Sequence, residues 1–303
     1  MRYQIEHETI LEFPHSVREH HTELRLTPRN DLNQRVHGSR IETDPSGKLG
    51  HYIDHFGNRV DYFCVIPPHT RLVTRLIADV EPLRENPFDF SPLPPGECKE
   101  WFRKALKNEP SLHDYTLHRS GETPSIVKLT AEIDRALPRH TQETPLMDSL
   151  FTLMEWIPSV LVYQPGATEV HTELIHAIKA GAGVCQDFAN LFITVVRSWG
   201  VPVRYVMGYQ APELSLLEKS SEVATHAWAE VLIPGGGWVG FDATHNLLAN
   251  DRYIPVAVGR DSYDAAPQRG SFKGDEPGKK PVVHITISGK GAGLQAPDAE
   301  EQE

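Results

Sequence analysis

The sequence has few cysteines and no long hydrophobic run. Its 303 residues include three cysteines, Cys64, Cys98 and Cys185, which lie far apart and form no C-x-x-C pair. This excludes a disulfide framework and is typical of a reducing compartment. No segment reaches the roughly 18 consecutive apolar residues that cross a bilayer, and the beginning, MRYQIEHETILEF, lacks the pattern of a secretory signal. These absences predict a cytoplasmic protein without a membrane partner.

Positive charge is also scarce. Lysine and arginine number 30 against 41 aspartates and glutamates, so the formal net charge is −11. A protein that binds the nucleic-acid backbone needs clustered cations, so we expect no nucleic-acid partner. Hydrophobic residues make up 39% of the chain, which is enough for a core, and the length suggests two domains. The sequence therefore predicts a globular protein rather than a disordered one.

The first 81 residues have the pattern of an antiparallel β-domain. Tyr3, Ile5 and His7 alternate with polar residues, which is the period of a strand with one buried face. Residues 51–67 form two apolar-alternating arms around Gly57-Asn58, a sequence that favours a hairpin turn. We therefore predict an N-terminal β-domain over residues 1–81.

The remaining chain divides into three parts. Residues 82–98 contain five prolines and indicate a linker, and apolar residues at helical spacing follow. The predicted helices cover 99–108, 124–137 and 145–157. We therefore assign 82–157 to a Pro-rich linker and helical connector, 158–290 to a core that carries the chemistry, and 291–303 to a flexible tail.

One helix in this core begins with a cysteine. In GAGVCQDFANLFITVVRSWGVPVRY (181–205) the apolar residues recur at steps of three and four, and Gly200 and Pro202 end the helix. Cys185 then lies in the first turn, where the helix dipole and unpaired N–H groups stabilise a thiolate. The alternative is that Cys185 is a small buried apolar residue, which is our only interpretation of Cys64 and Cys98.

A nucleophilic thiolate needs a base, and a hairpin at 225–246 supplies one. If the chain turns at Pro234, His226 and Asp242 lie directly opposite each other at a Cβ spacing of ~5 Å. An imidazole oriented by a carboxylate is the partner that a catalytic cysteine requires. Trp228 shares the strand face of His226, so it either lines a cleft or packs beside the pair.

Two further patterns are candidates for a cofactor site and a metal site, and neither has the context that such a site requires. Gly235, Gly237 and Gly240 satisfy G-x-G-x-x-G, but a strand follows instead of a helix, so we interpret them as a hairpin loop. Sixteen histidines are present without an H-E-x-x-H motif or cysteine partners at zinc spacing. We therefore expect neither a nucleotide cofactor nor a dedicated metal site.

Four segments resemble the bacterial branch of the transglutaminase-like superfamily: GAGVCQDFANLFITVVRSWGVPVRYVMGY, THAWAEV, GWVGFDATHN and YIPVAVGRDSYDAAPQRGSFKG. The N-terminal segments YQIEHET, LRLTPR and DHFGNRV resemble the β-domain of the same branch. The resemblance implies an α+β fold with a papain-like core, in which a cysteine helix packs against an antiparallel sheet. It further implies that Cys185 is the nucleophile, His226 the base and Asp242 the orienting acid. One departure is Asp242-Ala243-Thr244-His245, where the family usually has Asp-Pro-Thr-Asn.

The implied chemistry is acyl transfer through a thioester on a peptide or protein amide. The Cys185 backbone N–H is the natural first oxyanion donor, and Tyr163 and Gln164 are candidates for the second. We expect hydrolysis, as in a cysteine protease or amidase, and no calcium requirement, since the chain has no D-x-[DN]-x-[DN]-G loop. The alternatives are a protein-glutamine transglutaminase and a non-catalytic binding module on the same fold. The sequence leaves the substrate and the oligomeric state open.

Overall fold

The computed structural model describes residues 1–118, 121–170, 172–213, 221–222 and 224–290. The predicted tail, 291–303, lies outside the described residues. The helices are α1 Pro95–Asn108, α2 Ile126–Thr130, α3 Leu146–Trp156, α4 Leu174–Ala180 and α5 Cys185–Ser198, with 3₁₀ turns at Pro110–Thr116 and Ile157–Ser159. None of the helices within these ranges is both long and apolar enough to cross a membrane.

The strands form two large antiparallel sheets and one small parallel pair. The first seven strands are β1 Arg2–Leu24, β2 Gln34–Asp44, β3 Gly50–Ile53, β4 Arg59–Val65, β5 His69–Pro82, β6 Val162–Tyr163 and β7 Ala182–Gly183. The strands that follow them are β8 Val203–Gln210, β9 Ser221–Glu222, β10 Thr225–Ile233, β11 Gly237–Asp242, β12 Leu247–Leu248, β13 Tyr253–Gly259, β14 Gln268–Lys273 and β15 Val282–Lys290. The fold is therefore α+β, as the sequence predicts.

The first sheet is built around the long strand β1. It runs in the order β2-β5-β1-β15-β9, and β4 and β14 pair with the second half of β1. Tyr3, Ile5 and His7 point inward from β1, which confirms the predicted alternation. The hairpin β3–β4 also forms, and Gly57 at its turn has a φ of 76°, which an L-residue rarely adopts.

Three strands from the second half of the chain, β9, β14 and β15, complete this sheet. β15 pairs with β1 from Arg2↔Lys290 to Ile10↔Val282, and β14 pairs with β1 near Thr22. Ile285 is buried in the same hydrophobic cluster as Tyr3 and Ile5. The predicted N-terminal β-domain and the last strands of the predicted core therefore share one sheet. The domain limits at residues 81, 157 and 290 stay a prediction.

The second sheet carries the cysteine helix. It runs β12-β11-β10-β8-β13, and α5 packs on β10 and β8. Almost every side chain of α5 is buried, and Phe192 stacks on Phe241 of β11 at 5.6 Å between ring centroids. This burial on all sides explains why the helix is apolar around most of its circumference. The helix positions Cys185 at the end of the sheet.

The connector contains less helix than the sequence predicts. Helices α1 and α3 confirm the predictions over 99–108 and 145–157, but the stretch 124–137 forms only the five-residue α2. Leu129 and Ile133 are both buried, the second in irregular chain that follows a turn beyond the helix. A short helix followed by irregular chain can therefore bury residues at the same spacing that predicts a longer helix.

His7 links the two sheets and makes stability depend on pH. Its Nδ1 lies 2.9 Å from the Tyr209 hydroxyl and its Nε2 lies 3.2 Å from Thr9 Oγ1. Burial lowers the pKa of His7 to about 4, and burial likewise lowers the pKa of His20 to about 4. Because the unfolded chain binds these protons more readily, stability is present above pH 6.5 and is lost as the pH falls towards 4.

We therefore expect the free energy of unfolding to fall by about 1–2 kcal/mol per histidine between pH 7 and pH 5. Urea unfolding at both pH values measures this loss. In His7→Gln the difference between the two pH values should shrink by about half. An equal difference in the variant and the parent protein would show that His7 does not set it.

Candidate active site

Cys185 is positioned by a short strand and a helix start. β7 pairs in parallel with β6, the chain turns at Val184, and Cys185 is the first residue of α5. Its side chain is half-buried, so it remains reachable from solvent. At this position the backbone N–H groups of the first turn have no partner within the helix. The structure therefore places the thiol at the positive end of a buried helix, as predicted.

Asp187 holds this turn in place. Its Oδ2 accepts hydrogen bonds from the Val184 backbone N–H at 2.8 Å and from the Thr168 hydroxyl at 2.5 Å. Burial raises the pKa of Asp187, and these hydrogen bonds oppose the rise. A Cβ on Gly183 would lie 2.8 Å from the Asp187 carboxylate, so the backbone approach needs glycine. Asp187 is thus a cap rather than a reacting group.

The hairpin β10–β11 has a different register from the predicted one. Ile233 pairs with Gly237, so the hairpin is centred on Gly235 and not on Pro234, and the prediction of a direct His226–Asp242 pair is wrong. The tight loop depends on Gly235 and Gly237, whose φ values are 83° and 69°. His226 and Asp242 are diagonal instead, and they remain on one face because the offset is two residues.

The diagonal arrangement still joins the two side chains. His226 donates from Nε2 to Asp242 Oδ2 at 2.7 Å. Cys185 lies close enough to His226 to affect its ionisation, and since Nε2 is taken, Nδ1 is the nitrogen left for the thiol. Burial lowers the pKa of His226, but the hydrogen bond to Asp242 and the nearby Cys185 outweigh it and raise the pKa to about 9. The structure therefore brings the three predicted residues together in one chain of contacts.

Asp242 is fully buried and receives five hydrogen bonds. Oδ2 accepts from His226, from His245 Nδ1 at 2.7 Å and from the Tyr253 hydroxyl at 2.6 Å. Oδ1 accepts from the backbone N–H groups of Thr244 and His245 at 2.9 and 3.3 Å. Burial alone would raise the pKa of Asp242, yet these donors hold it well below its usual range. The carboxylate therefore stays ionised opposite the His226 ring.

Trp228 packs under His226. Its indole is buried, stacks on the His226 ring at 6.1 Å and meets the Tyr253 ring edge-on at 5.2 Å. A Cβ on Gly208 would lie 2.7 Å from this indole, and one on Gly240 would lie 3.3 Å from it. Gly240, the last glycine of the G-x-G-x-x-G pattern, therefore gives the indole room.

The two candidates for the second oxyanion donor lie at the end of β6, with Tyr163 its last residue and Gln164 just beyond it. Tyr163 is half-exposed, and its ring contacts Phe188 edge-on at 6.2 Å. Burial and the nearby Cys185 raise the pKa of the Tyr163 hydroxyl, so it stays protonated. The Gln164 backbone N–H donates to Gly183 at 2.9 Å, which leaves only its side-chain amide as a donor. The role of both residues stays a prediction.

Sequence reasoning missed two partners of Asp242. Tyr253 donates to the carboxylate and accepts from Gln210 Nε2 at 2.8 Å. It comes from β13, which is separated from β11 by the two strands β10 and β8. His245 was noted only as a departure from the family motif. Its position three residues after Asp242, in a turn, was the signal that it can reach back to the carboxylate.

These histidines also provide a set of metal-ligand atoms. One ligand atom each from His226, Asp242 and His245 lies within 4.8 Å of the other two. Two imidazoles and one carboxylate are ligands that zinc accepts, whereas calcium and magnesium prefer oxygen alone. The arrangement can thus act as a general base for the Cys185 thiol or hold a transition-metal ion.

Comparison with known proteins supports the resemblance seen in the sequence. Residues 134–243 match the transglutaminase-like superfamily, and residues 3–81 match the bacterial transglutaminase-like N-terminal region. An uncharacterized Mycobacterium leprae protein is 34% identical over 254 residues, which are 83% of this chain and 86% of that protein. A protein-glutamine gamma-glutamyltransferase of Pseudomonas aeruginosa is 29% identical over 181 residues, which are 57% of this chain and 26% of that protein.

A solved structure shows the same fold. The crystal structure of a "Putative Cysteine Protease" from Cytophaga hutchinsonii superposes with a TM-score of 0.61 at 20% identity and covers 98% of this chain and 94% of that one. At this identity the likeness concerns the fold alone, and it extends over both sheets. With the family matches over the β-domain and the core, it follows that the chain belongs to the transglutaminase-like superfamily, with the N-terminal region of its bacterial members.

Proposed function

We propose that this protein is a cysteine-dependent enzyme that transfers an acyl group through a thioester on Cys185, with water as the main acceptor. Its substrate is a peptide or protein amide. The observation that carries the proposal is that Cys185 lies beside His226, which is in turn hydrogen-bonded to the buried Asp242. A nucleophile, a base and an orienting carboxylate in contact form the arrangement that thiol catalysis requires.

The proposed reaction has two steps. The Cys185 thiolate attacks the amide carbonyl carbon, the C–N bond breaks, and His226 gives its Nδ1 proton to the leaving amine. Water then attacks the thioester while His226 takes one proton, and the acid leaves as the C–S bond breaks. The Cys185 backbone N–H, in the first turn of α5, is the proposed donor to the oxyanion.

Asp242 supports these steps without reacting. It fixes the His226 ring with Nδ1 towards the thiol and balances the imidazolium charge. The ring needs this support because burial disfavours its charged form. The five donors to Asp242 keep the carboxylate in one orientation, so the base is positioned before the substrate arrives.

Transglutaminase activity is the second candidate, favoured by the likeness to the Pseudomonas aeruginosa protein-glutamine gamma-glutamyltransferase. The two activities differ in the acceptor of the thioester. Water is present at ~55 M while amines are scarce, so hydrolysis dominates unless a pocket binds the amine.

The test is to supply glutamine-containing peptides and millimolar primary amine and to identify the products by mass spectrometry. We expect more free acid than amine adduct, and full activity in the presence of chelator. Predominant amine incorporation would favour the transglutaminase. Absence of both products across peptide libraries, with Cys185 unreactive, would favour the non-catalytic module.

Thiol reactivity gives an independent prediction. Near pH 6.5 iodoacetamide should modify Cys185 before the other two cysteines, because Cys185 lies at a helix start beside His226. Cys98 is buried, and burial raises the pKa of its thiol. Cys64 is half-buried, with Sγ 3.8 Å from His21 Nε2, and is the more demanding control.

Peptide mapping by mass spectrometry measures the order of modification. His226→Ala should slow alkylation of Cys185 and leave the rate at Cys64 unchanged. Modification of Cys64 or Cys98 before Cys185 would contradict the prediction.

A further inference from the structure

The Asp242 carboxylate has one histidine more than the proposed chemistry needs. Its Oδ2 receives His226 Nε2 and His245 Nδ1, both at 2.7 Å. A single imidazole suffices to orient a base, and His245 stands where the family motif has asparagine. The two rings lie close together, with centroids 5.1 Å apart.

We propose that His226, Asp242 and His245 form a binding site for a zinc-type transition-metal ion, and that the bound ion switches the enzyme off. Binding of the ion depends only on the geometry of the three side chains. Its inhibitory effect rests on the proposed function, since it requires that His226 serve as the base for Cys185.

The ligand set fits zinc in kind and in spacing. Two histidines and one carboxylate are a known three-residue zinc set that leaves a fourth position open. Zinc–ligand bonds of ~2.0–2.2 Å in a tetrahedron put neighbouring ligand atoms roughly 3.3 Å apart. Each nitrogen now lies 2.7 Å from Oδ2, and all three atoms lie within 4.8 Å of one another. The two nitrogen–oxygen distances would therefore need to open by less than ~1 Å.

The surroundings favour a metal at this place. Tyr253 and the backbone N–H groups of Thr244 and His245 also donate to the carboxylate, so it would stay oriented when the metal binds. The His245 side chain is 45% exposed, whereas that of His226 is 9% exposed. The ion would therefore enter from solvent past His245, which can move outward without disturbing the core.

A metal here would remove the base. The ion would occupy His226 Nε2, the nitrogen that now donates to Asp242. A ring bound to a cation no longer forms an imidazolium for the Cys185 thiolate. The orienting hydrogen bond would be lost in the same event, so one ion would disable both partners of the nucleophile.

The experiment measures binding and activity separately on the full chain. Zinc binding is followed by titration calorimetry, and cobalt(II), as a coloured substitute, by its visible absorption. His245→Asn removes one ligand and should weaken zinc at this site by roughly tenfold or more. His284→Asn, at an exposed position on β15, is the matched control and should bind zinc as the parent protein does. Circular dichroism verifies that each variant is folded.

Cys185→Ala separates this site from a thiol site. It should retain the zinc affinity and the cobalt spectrum, because Cys185 is not among the proposed ligands. Loss of binding in Cys185→Ala, or unchanged binding in His245→Asn, would overturn the site. Zinc bound at this site by an active enzyme that stays fully active would overturn the inhibition alone and leave the proposed function standing. A protein that binds zinc but turns over no amide would contradict the proposed function and not the site.

Discussion

Cys185→Ala is expected to abolish turnover of any amide substrate. The variant lacks the atom that forms the thioester, and no other thiol can replace it. Cys98 is buried with its thiol donating to Leu93 and Pro94 carbonyls, and Cys64 lies on β4 in the other sheet. Assays with a purified peptide amide should show no product above the uncatalysed rate, a loss of at least ~10⁴-fold.

Two matched variants make this result specific. His226→Ala should be equally inactive, because the thiol then has no base and the leaving amine no proton donor. Cys64→Ala should keep full activity, since the residue lies away from the site. Turnover in Cys185→Ala comparable to that of the parent protein would show that another group performs the reaction.

Asp242→Asn is expected to reduce the rate by roughly 10²–10⁴-fold with the fold intact. Asparagine has nearly the same shape, but its NH₂ group cannot accept the hydrogen bonds that Oδ2 accepts from His226, His245 and Tyr253. Either His226 changes its tautomer or the ring rotates, and in both cases Nδ1 no longer serves the thiol. The imidazolium also loses its counter-charge.

The effect should appear in kcat, with thermal unfolding as the test for folding. Tyr253→Phe is the matched comparison, because it removes one of the five donors and leaves the charge. We expect it to cost about tenfold in rate, the equivalent of one hydrogen bond of about 1.4 kcal/mol. Full activity of Asp242→Asn would mean that Asp242 does not orient His226.

Local patterns predicted the cysteine helix, the hairpin and the face shared by His226 and Asp242. The exact pairing of the hairpin could not be predicted, because a shift by two residues keeps every side chain on its face. The hydrophobic pattern is blind to such a shift, and only the positive φ at Gly235 and Gly237 decides it.

Contacts between segments that are distant along the chain could not be predicted from the sequence. Tyr253 reaches Asp242 because β13 lies beside β8, and no spacing along the chain indicates this. The pairing of β15 with β1 was missed for the same reason, since an alternating strand does not specify its partner. The cytoplasmic location and the peptide substrate are not matters of geometry, and they stay predictions.

The pairing of β1 with β15 has a consequence for how the protein is made. Arg2 and Lys290 are neighbours in the sheet, so the ribosome must synthesise the chain as far as Lys290 before this ladder can close. Until then β1 has β5 on one side and an open row of backbone donors and acceptors on the other. Such late, long-range pairing slows folding and leaves a strand edge that another nascent chain could pair with. The synthesis of β15, more than the emergence of the β-domain, would thus be the step after which the free edge of β1 is covered and this sheet is protected from aggregation.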